Sequence, residues 1–325
     1  MKDTLFSPVL VEKLSEALGK GEQVILFQNR RGFAPVIECK ECGWVPHCVN
    51  CDVSLTYHKF RNELVCHYCG YKIQSPHQCP ECQSPELRTM GFGTEMVEEE
   101  IATLFPSAKV ERLDFDTART RTAFEKGKTQ ILIGTQMLSK GLDFGNVSVV
   151  GILNADSLMN FPDFRAHERA FQLMVQVSGR AGRRDKRGTV VLQTSQPDHP
   201  LIRMVERFAY KEMVRLQLGE RSMFRYPPYY RLIVIVLRSR NDSILQELSV
   251  LYAENLRRRL GERVLGPVTP PITRVQTLHI RKIVLKIEIA AAIAPVREIL
   301  ESVHTEMQRY LPFKQLIVHY DVDPA

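Results

Sequence analysis

One tryptophan occurs in 325 residues, and no apolar run approaches the ~18 residues that a bilayer span requires; the longest are Leu232 to Leu237 and, counting alanines, Ile289 to Ala294. No transmembrane helix is expected, and no membrane partner. The opening Met1-Lys2-Asp3-Thr4 has no apolar segment with a cleavage site, so no secretory leader is read and the chain is expected to be cytoplasmic. Apolar residues at 44% and charged residues at 25% are ordinary globular usage, which sets aside disorder, collagen-like repeats and coiled coil. A phosphate-cradling G-x-x-x-x-G-K-[ST] loop is also missing, as is a carboxylate pair for Mg2+. Gly19-Lys20-Gly21 is the nearest cluster, and it lacks the spacing and the hydroxyl. Cysteine is absent from everything outside residues 39 to 82. The length fits two or three domains at ~150 residues each.

Inside that short stretch, all eight cysteines fall into four C-x2-C knuckles: Cys39/Cys42, Cys48/Cys51, Cys66/Cys69 and Cys79/Cys82. Eight thiolates suffice for two closed tetrahedral Zn2+ sites, since a two-residue gap lets both sulfurs of a knuckle reach one ion. Metal also answers a stability problem, because so short a segment, rich in Pro, Gly, Gln and His, carries little core of its own. Disulfides are the rival where the compartment oxidises, and iron-sulfur ligation uses other spacings. Four knuckles pair into two sites in three ways. Residues 52 to 65 read as a hairpin, with Val53, Leu55 and Tyr57 alternating, a polar Lys59 to Asn62 turn, then Leu64 and Val65. That favours a nested arrangement: Cys39, Cys42, Cys79 and Cys82 in one site, Cys48, Cys51, Cys66 and Cys69 in the other. His47, His58, His67 and His77 are then not needed as ligands. Trp44, Tyr57 and Tyr68 are candidates for stacking on unpaired bases, with packing around the knuckles as the plainer reading.

The formal net charge is +7, and two tetrathiolate zinc ions reduce it to about +3, so global charge argues weakly for a polyanionic partner. Local charge argues better. Nine Arg or Lys stand against four acids between residues 198 and 240, and five basic residues from Arg180 to Arg187 stand against Asp185. Concentrated charge of one sign suits nucleic-acid backbone tracking, while a solvated helix face is the alternative for 198 to 240.

Around the cysteines lie strand signals at Gln23 to Gln28, Lys109 to Leu113, Gln130 to Gly134, Val147 to Leu153 and Thr189 to Thr194, with helical spacing at Pro8 to Leu18, Glu95 to Leu104 and Arg165 to Val177. Nearly continuous apolar strands predict a parallel sheet covered on both faces, a doubly wound α/β domain with the Cys-rich module inserted after its first strand. In such sheets ligands sit at the carboxyl ends of the strands. Two loops attract attention on that basis: Gly134-Thr135-Gln136-Met137-Leu138-Ser139-Lys140-Gly141-Leu142-Asp143, and Gln176-Val177-Ser178-Gly179-Arg180-Ala181-Gly182-Arg183. Two arginines three apart on a glycine-bearing turn can bring both guanidinium forks to a phosphate chain; a solvated basic turn is the plainer alternative. His167 and Glu168 read as surface or contact residues. Between Asp116 and Lys128 there is little room for the helix that a parallel crossover carries.

The pair T-Q-x-x-x-K-G-x-D and Q-x-x-G-R-A-G-R resembles motifs V and VI in the second RecA-like lobe of superfamily 2 helicases. With the eight-cysteine insert after Asn29-Arg30-Arg31-Gly32, with Gly91-Phe92-Gly93-Thr94-Glu95, and with Asp321-Val322-Asp323-Pro324, the chain resembles the PriA family of replication-restart DNA helicases, in its carboxyl-terminal half only. The resemblance implies ATP, with Mg2+, bound between two lobes and two Zn2+ in the Cys-rich insert. Arg180 and Arg183 would act on the γ-phosphate with Gln176 in support, and Thr135, Gln136, Gly141 and Asp143 would couple nucleotide state to the DNA strand. It implies 3′ to 5′ unwinding, recognition of stalled forks and primosome assembly. The implied partners are forked and single-stranded DNA, single-stranded-DNA-binding protein and other primosome proteins. Without the first lobe, this chain is expected not to hydrolyse ATP at a useful rate. A motor-free zinc-ribbon DNA-binding or primosome scaffold protein is the competing reading.

The expected organisation is a helicase lobe over 1–38 and 88–197, a zinc-binding insert over 39–87, a linker helix over 198–222 and a carboxyl-terminal domain over 223–325. In the last, strand Arg231 to Leu237, helix Ser243 to Leu260, strands Arg263 to Val268 and His279 to Ile289, helix Pro295 to Tyr310 and strand Gln315 to Asp321 give βαββαβ, a ferredoxin-like order.

Overall fold

The computed structural model describes residues 4–28, 36–51, 53–58, 61–89, 94–113, 117–135, 144–182 and 188–324. The chain forms two compact units, one of residues 1–45, 77–161 and 165–214, the other of residues 46–76, 162–164 and 215–325. The Cys-rich segment is thus divided, its outer knuckles belonging to the first unit and its inner knuckles to the second.

In chain order, the first unit starts with α1 (Pro8–Gly19) and β1 (Gln23–Phe27). The Cys-rich segment follows, with β2 (Ile37–Cys39), β3 (Thr56–His58), β4 (Glu63–Val65), β5 (Lys72–Gln74) and β6 (Leu87–Thr89). Then come α2 (Thr94–Leu104), β7 (Val110–Leu113), α3 (Thr117–Glu125), β8 (Ile131–Gly134), β9 (Val147–Ile152), α4 (Ala155–Met159), α5 (Ala166–Ser178) and β10 (Thr189–Leu192). The five lobe strands pair in the order β10-β9-β1-β8-β7, parallel at every junction. Every residue of β1 is buried, because alternate side chains serve two cores. Val24 and Leu26 join Ile131, Ile133 and Val149 under Leu10, Leu14 and Ala17 of α1. Ile25 and Phe27 join Leu132, Val150 and Ile152 under Ala170, Phe171, Met174 and Val177 of α5. Each such aliphatic side chain contributes ~1.5 to 3 kcal/mol on burial, which is why the β-branched runs specify this sheet. Close approach on the α1 face also demands Gly151, where a Cβ would lie 2.9 Å from Leu26 Cδ2 and 3.1 Å from Leu10 Cδ1. Ser7 caps α1 by accepting from Leu10 N, and Pro8 fits the first helical turn.

Two details depart from the sequence reading. The short interval after Asp116 does carry a crossover helix, α3, nine residues long, anchored by Phe124 packed edge-to-face on Phe144 at 4.7 Å. Its Thr-Ala-Arg-Thr-Arg-Thr run offers almost no apolar periodicity, and among the described side chains of α3 it is Phe124 that is buried. The expected single linker helix is two, α6 (Pro200–Glu206) and α7 (Tyr210–Met223). The break is a helix stop in which Ala209 N donates to Met204 O and Phe208 N to Val205 O, with Phe208 at φ 53. Glycine usually marks that stop, and here a phenylalanine occupies it.

The second unit adds β11 (Tyr230–Ser239), α8 (Asp242–Leu260), β12 (Val264–Val268), β13 (Arg274–Val275), β14 (Leu278–Glu288), α9 (Ile293–Met307) and β15 (Ile317–Val322). The sheet order is β12-β14-β11-β15, antiparallel throughout, with β13 paired to β14. This is the split βαβ arrangement read from the sequence. Ile233, Ile235, Ile283, Leu285 and Ile287 point to one core with Leu245, Tyr252 and Leu256 of α8 and Val303 and Met307 of α9. The alternating positions Leu232, Val236, Val284 and Lys286 are buried as well. The inner knuckles of the Cys-rich segment, carried on the antiparallel β3-β4-β5 sheet, belong to this same unit.

Candidate metal centres and lobe loops

All four knuckles close in the same way. The first cysteine's N–H donates to a carbonyl five residues on: Cys39 to Trp44, Cys48 to Val53, Cys66 to Tyr71 and Cys79 to Ser84. The residue after the second cysteine must turn back with positive φ where it is described, at Gly43 (φ 71), Gly70 (φ 81) and Gln83 (φ 63), and its N–H returns to the first cysteine's carbonyl. Left-handed backbone is why two of these three positions hold glycine. Such loops point both sulfurs of a knuckle the same way.

The structure brings the sulfurs into two groups, Cys39/Cys42/Cys79/Cys82 and Cys48/Cys51/Cys66/Cys69, with the atoms of each within 4.8 Å of one another. Sulfurs of different knuckles approach to 3.5 Å at Cys39/Cys82, Cys42/Cys79 and Cys48/Cys69. A tetrahedron with Zn–S of ~2.3 Å has an edge of ~3.8 Å, so both groups have the size and the all-sulfur donor set of a closed zinc site. We term the first group proximal and the second distal. In the distal group, hydrogen bonds from Cys48, Cys51 and Cys66 hold the Cys69 thiol far below its ordinary range, while the contact with Cys48 pushes Cys51 far up. Crowded thiols cannot all ionise alone, and a divalent cation resolves the conflict.

The proximal group is supported by polar side chains of the lobe. Glu38, buried on β2, accepts from Ser195 Oγ and is paired with Arg88 of β6 at 3.0 Å. Burial pushes the Glu38 carboxyl up from its ordinary range, against the hydrogen bond from Ser195. Asp156, in α4, accepts from Ser195 N at 2.8 Å and Thr194 Oγ1 at 2.6 Å, tying this segment to the end of β10. A Cβ at Gly43 would meet Gln196 Cγ at 2.6 Å.

The distal group is supported by aromatic and backbone groups instead. Tyr226 donates its hydroxyl to Cys51 O at 3.0 Å, lies stacked on Phe164 at 4.3 Å, and receives Tyr68 edge-on at 6.1 Å. His67 lies within hydrogen-bond distance of Thr269 O through Nδ1 and of His58 Nε2 through Nε2 at 3.2 Å; burial pushes its pKa down to about 4. Tyr68 therefore packs, His58 and His67 join neither sulfur group, and His77 is exposed. Neither Glu38 nor Tyr226 was singled out from the sequence as a supporting residue, although Tyr226 sits in the Tyr-Pro-Pro-Tyr stretch that marked the domain start.

Thr135 and the described part of the arginine turn lie at opposite edges of the sheet. Thr135, buried, follows β8 at the carboxyl edge, where Gly134 pairs with Phe27. Helix α5 leads to the opposite edge: after it, Arg180 N donates to Val177 O, Ala181 N to Ser178 O, and Gly182 N to Val147 O at the first residue of β9. The arginine turn, read from the sequence at the end of helix 165 to 177, thus lies at the amino edge and not at a strand's carboxyl end. The reason is geometric: α5 returns the chain to the amino edge so that β10 can run parallel to β9. Gln176 is exposed on the last turn of α5 and Arg180 is half-buried. Gln136, Gly141, Asp143 and Arg183 lie outside the described residues.

Three family models match this chain. The helicase conserved C-terminal domain covers 95–185, and the primosomal protein N C-terminal domain covers 222–325. The third, the PriA DNA helicase Cys-rich region, covers 48–73, the distal knuckles. The chain matches the carboxyl-terminal half of PriA. Replication restart protein PriA of Bacillus subtilis is 40% identical over 99% of this chain and 41% of its own length. The Treponema pallidum protein of the same name is 36% identical over 99% of this chain and 49% of its own. That of Haemophilus influenzae is 42% identical over 82% and 38%. The chain spans half or less of the length of these relatives. The matched models name a helicase domain and a Cys-rich region, the relatives are named replication restart protein, and the two four-cysteine groups fit zinc binding. Among the described residues, no helix is long and apolar enough to cross a membrane.

Proposed function

We propose that the chain is the second motor lobe, Cys-rich module and carboxyl-terminal domain of an ATP-dependent 3′ to 5′ DNA helicase that recognises stalled replication forks and initiates primosome assembly. The observation that carries this reading is the presence in one chain of the Gln176 to Arg183 arginine turn, two four-cysteine groups and the carboxyl-terminal domain of primosomal protein N. ATP and Mg2+ are bound largely by a first lobe, which supplies the phosphate loop that this chain lacks. Arg180 and Arg183 contribute charge to the γ-phosphate, with Gln176 orienting them. Thr135, Gln136, Gly141 and Asp143 relay nucleotide state towards DNA. Each zinc ion, held by four thiolates, supplies folding energy and no reacting group.

Forked and single-stranded DNA, single-stranded-DNA-binding protein and other primosome proteins are the proposed partners, met in the cytoplasm. The basic stretch from 198 to 240 supports a nucleic-acid role, and the affinity it contributes falls as salt rises. The test is ATP turnover by the purified, zinc-loaded chain titrated with forked DNA, binding being followed in the same tubes. Binding without turnover is the expected result. Robust DNA-stimulated turnover overturns the assignment to a motor lacking its first lobe, and absence of both overturns the DNA role in favour of a scaffold.

A further inference from the structure

Lys286 is a lysine where the fold leaves almost no water. It lies on β14, alternating with the core residues Leu285 and Ile287, and is 6% exposed. Its ammonium donates to Phe224 O at 2.6 Å and sits 3.7 Å from the centroid of the Tyr226 ring. A carbonyl and a ring face are modest partners for a full charge, and an ammonium buried without compensation is expensive. Among the described residues no carboxylate lies within ion-pair distance of it. The negative groups that act on its ammonium are the distal thiolates. Burial draws the Lys286 pKa down, and Cys51, Cys66 and Cys69 draw it back up. Four thiolates on one zinc ion leave a net charge of −2, and that charge requires a cation nearby in a dry setting.

Tyr226 joins the two groups. It is 2% exposed; its hydroxyl holds the backbone of ligand Cys51 and its ring face receives the ammonium. Hydrogen bonds and charges just outside the ligands orient a metal site and tune its affinity. We propose that Lys286, held against Tyr226, is the buried counter-cation of the distal zinc tetrathiolate, so that metal loading at Cys48, Cys51, Cys66 and Cys69 is linked to the order of the sheet face that carries Lys286. This rests on the reading of the distal cysteines as a zinc site, and it makes Lys286 and Tyr226 positioning residues for that metal.

The test uses the whole chain, purified with zinc under reducing conditions. Zinc release is followed with a chromogenic chelator while a thiol-modifying reagent is added, and backbone hydrogen exchange is measured in parallel. The wild-type chain is expected to hold two ions. Lys286→Met is expected to speed one of the two release phases about tenfold and leave the other unchanged; Lys286→Arg, which keeps the charge, restores it, and Tyr226→Phe falls between. To separate this linkage from any direct effect of Lys286→Met on folding, Cys69→Ser supplies the converse. Losing the distal metal with Lys286 intact is expected to raise exchange at residues 283–288 and leave residues 147–152 protected. Two ions with unaltered release from Lys286→Met, or unaltered exchange at 283–288 in Cys69→Ser, overturns the linkage. A wild-type chain holding fewer than two ions overturns the zinc reading instead.

Discussion

The proximal and distal four-cysteine groups are built by the same local recipe and supported by opposite kinds of chemistry. Each uses two knuckles closed by the same backbone hydrogen bonds, and each gathers its sulfurs within the same 4.8 Å. In the proximal group two of four ligands, Cys42 and Cys82, are exposed, and the support is a buried carboxylate with hydroxyl and guanidinium partners. In the distal group three of four ligands are buried, and the support is a tyrosine, a buried lysine and a histidine against a backbone carbonyl. The knuckle sequence therefore decides that a metal is bound. What surrounds it decides which part of the molecule its loss will disturb.

Removing ligands gives the largest separation. Cys39→Ser and Cys51→Ser are each expected to lose one zinc ion by metal analysis and to cost ~3 kcal/mol or more locally, since metal binding there is folding energy. Hydrogen exchange should rise near residues 37–39 and 87–89 in the first and near 224–230 in the second; identical patterns would erase the distinction. The knuckle glycines give a finer contrast. Gly43→Ala and Gly70→Ala both force a side chain into the left-handed region, at ~1 to 2 kcal/mol. Gly43→Ala should cost more, because its Cβ would meet Gln196 Cγ at 2.6 Å, whereas that of Gly70 meets Val268 Cγ1 at 3.2 Å. Zinc-release rates of the two variants check the order.

Glu38→Ala should weaken the proximal support by ~1 to 3 kcal/mol by removing the partner of Ser195 and Arg88, leaving distal zinc release unchanged. The smallest effect concerns pH. Burial lowers the His304 pKa below its ordinary 6.5, so its contribution to the carboxyl-terminal domain is present above pH 6.5 and lost as acidification proceeds through the lowered value. His304→Gln should flatten that slope by a fraction of a kcal/mol in thermal unfolding between pH 7 and pH 5.

The lobe strands were legible to within one or two residues because a sheet covered on both faces needs near-continuous apolar runs, as in Gln23–Phe27 and Val147–Ile152. The grouping of the cysteines was legible because the β3-β4 hairpin draws the inner knuckles together. Other features depend on contacts that no local pattern encodes. The stop at Phe208 uses a residue that rarely adopts positive φ, and Phe124 is the buried residue among the described side chains of α3. Lys286 stands plainly in Lys-Ile-Val-Leu-Lys-Ile-Glu, yet its burial depends on Tyr226 and on the knuckles some 220 residues earlier in the chain. The motifs around Thr135 and Arg180 could be read from residue types, but the placement of Thr135 and Arg180 themselves at opposite edges of the sheet follows from the return path of α5.

The most direct test of the functional account is DNA-stimulated ATP turnover by the complete protein in which the residue that is Arg180 here is changed to alanine, with fork binding measured alongside. The account predicts that turnover falls by about a thousandfold or more while fork binding persists, as for loss of an arginine that stabilises charge on a transferring phosphate. Turnover equal to that of the unaltered protein would contradict it.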